Sequence, residues 1–154
     1  MIKVSKPIIL ILPCIGGLLL ATSPFLPWAY GGFSKEPYSV WSALVRVPDN
    51  PVYWVWLALT GISGLLIIVL SICAILVRGY LSQRFWLFNL GIAIISFFYH
   101  LVSVVLTAFW EEPPYAATLG IGALAALFGP AIAVLGLLLI RKSYQTGLVT
   151  ERGC

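Results

Sequence analysis

Apolar residues along this chain gather into four long runs separated by short polar stretches: Ile8–Trp28, Val52–Val77, Phe85–Phe109 and Ala116–Ile140. Each reaches the about 20 residues that a helix needs to cross the hydrocarbon core of a bilayer. No Lys, Arg, Asp or Glu interrupts any of them. A backbone in lipid has to satisfy its own hydrogen bonds, so the runs predict helices. The expectation is an all-α integral membrane protein, a four-transmembrane-helix bundle forming one domain over residues 1–154. It has an external loop over 29–51 and a cytoplasmic tail over 141–154.

Within the external loop, Tyr38, Trp41, Leu44 and Val45 recur at helical spacing behind Ser39, a residue suited to an N-cap. They predict a short interfacial helix that anchors the loop in the outer leaflet or offers a docking surface to a partner. Pro48-Asp49-Asn50-Pro51 then turns the chain back. Trp28, Tyr53, Trp54, Trp56 and Trp110 fit an aromatic belt at the same level. Arg78 to Arg84 reads as a tight hairpin between the second and third runs. Glu111-Glu112-Pro113-Pro114 reads as a short loop between the third and fourth, and without a third ligand its two acids make no metal site.

The third run carries a polar stripe. Asn89, Ser96, His100, Ser103 and Thr107 are spaced by seven, four, three and four, which places them on one helix face among Leu, Ile, Val and Phe. A polar face in a lipid-length helix meets protein or water, not acyl chains. As packing glue, its hydroxyls bond their own helix and its amide and imidazole reach across to neighbours. As a ligand site, His100 offers a neutral imidazole to haem, chlorin or quinone, but the chain has no second histidine and its only methionine is Met1. As a conduction path for protons or a small substrate, the stripe would rest on His100 alone, since no run contains a carboxylate.

The fourth run repeats Gly122, Gly129 and Gly136 at sevens, with Ala126 and Ala133 between them. This smooth face lets another helix approach closely, inside the bundle by default or on another chain. Pro130, in mid-run, kinks the helix and frees a carbonyl. The second run shows a weaker version, with Thr60, Gly64, Ile67 and Ser71 on one side.

Composition and charge refine this picture. The chain is 61% hydrophobic and only 9% charged, with a net charge of +4. Seven of the nine basic residues (Lys3, Lys6, Arg78, Arg84, Arg141, Lys142 and Arg152) fall on one side of a four-span chain. That bias predicts both termini in the cytoplasm and a multi-pass protein of the cell membrane. Charge placed this way speaks for lipid, not nucleic acid. Lys3 and Lys6, the following apolar run and Ala21-Thr22-Ser23 also fit a cleaved signal peptide, against which stand Pro24 and the continuation of the run to Trp28. Cys14, Cys73 and Cys154 form no motif, and none lies in an external loop, so no structural disulfide is expected.

No Ser–His–acid set, CxxC pair or phosphate-binding glycine loop is present. The layout resembles that of claudin-type tetraspans, with a larger first external loop bearing Trp28 and Trp41. That family's paired loop cysteines have no counterpart here, so the resemblance implies topology alone and carries over no site residue. The expected function is non-enzymatic: a small structural or accessory subunit that packs against other membrane chains or its own copies. The alternative is a cofactor-binding or conducting bundle centred on His100.

Overall fold

A computed structural model describes residues 6–30, 39–76, 80–110 and 118–151. The chain runs α1 (Lys6–Thr22), a 3-10 turn (Ser23–Phe25), β1 (Ala29–Tyr30), α2 (Val40–Arg46), α3 (Pro51–Leu76), α4 (Tyr80–Trp110), β2 (Thr118–Leu119) and α5 (Ile121–Glu151). Three segments are long and apolar enough to cross a membrane: Pro51–Ala74, Gln83–Leu106 and Ile121–Lys142. Ile11–Phe25 is a shorter apolar helical segment.

The long helices pack side by side in a closed square. α1 lies against α5 and α3, and α4 lies against α3 and α5. Pro13 meets Gly136 and Gly16 meets Gly129, so the α1–α5 pair is antiparallel. The core is Leu20, Ile67, Trp86, Ala93, Ala126, Ala133 and Leu137, with Trp28 and Val40 at one end. Large apolar side chains such as Leu18, Ile95, Phe98 and Leu135 point outward. This is the distribution expected where the surrounding solvent is lipid.

The smooth face of α5 is consumed by α1. A Cβ at Gly129 would lie 2.7 Å from the Gly16 carbonyl oxygen, and one at Gly136 would lie 2.7 Å from Pro13 Cδ. Gly122 is closed by Leu26 and Trp28, and Ala126 and Ala133 are fully buried. On its other side α1 meets α3 through Gly17 and Gly64, where a Cβ at either would sit 2.7 Å from the other's carbonyl oxygen. Adjacent glycines on α1 thus serve two different neighbours, and van der Waals contact at backbone distance holds the three helices together.

Three sequence expectations need correction. The first run is not one helix to Trp28. It is helical to Thr22, makes a 3-10 turn through Pro24, and is extended at Leu26, as a residue before proline prefers. The fourth helix begins at Ile121 and not Ala116. Thr118 and Leu119 instead pair antiparallel with Tyr30 and Ala29, Gly120 N donates to Trp28 O at 2.7 Å, and Gly122 N donates to Pro27 O at 2.7 Å. These bonds satisfy donors that a helix start leaves open. The hairpin expected over Arg78–Arg84 is shorter, because α4 is already helical at Tyr80. A helix leaving the bilayer keeps its own hydrogen bonds, so a charged residue such as Arg84 does not end it.

The external helix is present. α2 forms where expected, with Ser39 and Ser42 capping each other reciprocally at 3.0 Å. Its buried face, however, is Val40, Ala43 and Leu44, whereas Trp41 and Val45 are 46% and 66% exposed. Of the residues singled out from the sequence, Leu44 is buried and Trp41 and Val45 face outward, while Tyr38 lies outside the described residues. α2 closes one end of the bundle over α3 and the 3-10 turn. α3 then starts at Pro51, with the Asn50 side chain accepting from Val52 N at 3.0 Å.

Candidate functional site

α4 presents the polar stripe to the bundle interior. Asn89, Ser96 and His100 are 0%, 6% and 1% exposed, and Ser103 is half-buried. Thr107 is helical, but its side chain lies outside the described residues. Trp86 and Ala93 share this buried face. The full seam runs 86, 89, 93, 96, 100, 103, alternating three and four, the heptad spacing of left-handed helix packing. The stripe is therefore the polar part of a packing seam.

Its two ends are built differently. Asn89 Nδ2 donates to Ser71 Oγ at 2.8 Å and to Ile67 O at 3.3 Å, and Ser71 Oγ donates to Ile67 O at 2.6 Å. The reverse amide orientation would set an oxygen against the Ile67 carbonyl, so the bonds fix which end is nitrogen. This leaves Asn89 Oδ1 buried without a partner. His100 Nδ1 lies 2.6 Å from Ser96 O. A carbonyl only accepts, so Nδ1 carries the hydrogen and Nε2 of the neutral ring is a bare lone pair. Nε2 too is buried without a partner.

Aromatic rings enclose the imidazole. Tyr99 stands perpendicular to it at 5.1 Å, Trp28 lies at 6.3 Å, and Trp28 packs on Trp56 at 5.0 Å. Trp28 is 6% exposed and donates from its indole to Ser23 O at 2.8 Å. It belongs to the core and not to the aromatic belt expected from the sequence. Trp54 and Trp41 do face outward, and Trp41 stacks on Phe25 at 5.5 Å. The Tyr99 hydroxyl bonds the side chains of Trp56 and Ser103.

These contacts limit what the site can hold. Nε2 has almost no accessible surface, so a haem or chlorin would reach it only if the helices parted. Among the described residues, no three His, Cys, Asp or Glu side chains converge as metal ligands. Glu111 and Glu112 lie outside the described residues. On the outer side of α4, an open groove of about 740 Å³ runs beside Trp56, Ile94, Phe98, Tyr99, Val102 and Leu106. His100 does not line it, and Tyr99, which packs on the imidazole, does.

Two residues of the seam, Ala93 and Trp86, were not singled out from the sequence, and Trp86 makes the stronger contact. The Trp86 indole donates to Leu137 O at 2.8 Å, and the Arg141 guanidinium lies 5.0 Å over the ring. This pins α4 to α5 near the basic end. Extending the three–four alternation backwards from Asn89 would have found it, but tryptophan near a run's end reads as a belt residue.

Comparison with protein families, with characterised proteins and with solved structures finds no match, so the site's own geometry carries the functional reading.

Proposed function

We propose that this chain is a small non-enzymatic protein of the cell membrane, an accessory subunit that packs against other membrane chains through its α3–α4 side. All four apolar helices span the bilayer in this reading, with both termini cytoplasmic and α2 at the outer surface. The basic residues at the chain ends and around the second loop support that orientation. The place of α1 inside the bundle, filling the glycine positions of both α3 and α5, supports its retention in the mature protein.

The observation that carries the proposal is an imbalance of burial. The spanning window of α5 is 50% buried, against 28% for α3 and 22% for α4. The small-residue face of α5 is already occupied by α1, so it is not the partner surface. Of these three windows α4 is the least buried, and its outer side carries the groove beside Phe98 and Val102. Helices in lipid associate by filling such grooves.

A photo-crosslinking amino acid at Phe98 tests this in native membranes. The expected result is an adduct of discrete mass, to another chain or a second copy, that is absent when the same group replaces Leu18 on α1. Lipid adducts alone at both positions would overturn the accessory reading. A second reading, a ligand site centred on His100, is favoured by the bare buried Nε2.

A further inference from the structure

We propose that His100 holds a single buried water, which donates one hydrogen bond to Nε2 and the other to the freed carbonyl of Ala126 on α5. The proposal deepens the His100-centred reading by naming the ligand, a donor the size of water, and does not depend on the accessory role.

Three observations converge. First, Nε2 is an acceptor by elimination, because Nδ1 is committed to the Ser96 carbonyl at 2.6 Å. His100 is 1% exposed, and among the described residues no donor reaches Nε2. Buried polar atoms without a protein partner are commonly met by ordered water.

Second, α5 supplies another acceptor at the matching depth. Pro130 lies inside α5 and has no N–H, so the carbonyl four residues earlier, on Ala126, lacks its helical donor. Ala126 is fully buried. The Trp86–Leu137 bond sets the α4–α5 register. Counting eleven residues along each antiparallel helix from that bond puts Ala126 level with Phe97, within one turn of His100. Two acceptors within a turn of one another can share a molecule with two donors, and water is the smallest that qualifies.

Third, the wall opposite is built from small side chains. Ala123 on α5, level with His100 by the same count, and Ala93 and Ser96, the preceding seam positions on α4, are all small and buried. Nε2 is too enclosed for a bulky ligand, which limits the occupant to a molecule of this size.

The chain contains one histidine, so ring-nitrogen signals need no assignment. Histidine-labelled 15N protein in phospholipid bilayers is measured by solid-state NMR. The expected spectrum shows one protonated nitrogen and one unprotonated nitrogen, the latter displaced toward the hydrogen-bonded range, with rapid polarisation transfer from water to the ring. An unprotonated nitrogen at its free position without water transfer would overturn the proposal, as would a proton on Nε2. Pro130→Ala restores an N–H for the Ala126 carbonyl and is expected to weaken the water transfer. Undiminished transfer in that variant would overturn the bridge to α5. The wild-type spectrum decides the water itself, whether or not the variant folds.

Discussion

Asn89 shows how one polar side chain specifies a helix pair in lipid. Its amide nitrogen ties α4 to the Ser71 hydroxyl and the Ile67 carbonyl of α3, in a region with no competing water outside the bundle. Interhelical hydrogen bonds of this kind contribute about 0.6 kcal/mol on average, and at most about 1.7 kcal/mol. A double-mutant cycle with Asn89→Ala and Ser71→Ala is therefore expected to give a coupling of about 0.5–1.5 kcal/mol, read by reversible unfolding in bilayers. A coupling near zero would mean that Asn89 contributes packing alone. The stripe's spacing was legible in the sequence because a helix repeats its faces. The partners were not, since Ser71 and Ile67 lie 18 and 22 residues away and only the register of α3 brings them to Asn89.

At the scale of elements, small residues set the architecture. Gly129 admits the α1 backbone, whereas nothing lies within 4 Å of a Cβ built at Gly91 on α4. Gly129→Leu is expected to drive α1 from α5 and cost at least the about 1–3 kcal/mol typical of overpacking. Gly91→Leu is expected to leave the bundle folded, because its side chain enters open space. Thermal stability in mild detergent separates the two variants, and equal stability would show that α1 and α5 do not meet as described. The repeat of Gly122, Gly129 and Gly136 was readable, but its partner was not. The contacting glycines on α1, Gly16 and Gly17, are adjacent and serve two different helices, so no single repeat on α1 matches the one on α5. The helix in the external loop was likewise legible from Ser39 and its apolar spacing. Its buried face was not, because Trp41 and Val45 satisfy the same periodicity as Val40 and Ala43.

At the scale of the whole molecule, orientation in the membrane follows from charge. In a variant with Cys14, Cys73 and Cys154 replaced by serine, Asp49→Cys is expected to react with an impermeant maleimide added outside, and Lys142→Cys only after the membrane is opened. Reaction of both from the same side would overturn the proposed topology. α1 is the element most sensitive to the bilayer. Its 17 residues make a helix of about 26 Å, short of the roughly 30 Å hydrocarbon core. In the proposed four-span topology, the 3-10 turn and the Pro27–Trp28 segment would carry the chain the remaining distance.

The sequence by itself determined that the chain is built of long apolar helices and that one face of α4 is polar, because hydropathy and helical period are properties of neighbours along the chain. Tertiary structure decided where the helices end, which glycines meet, that Trp28 and Trp86 are core residues, and that Nε2 of His100 is enclosed without a protein partner. Those outcomes depend on residues far apart in sequence meeting at backbone distance, as when Gly120 and Gly122 pair with Trp28 and Pro27. No local pattern records such a meeting.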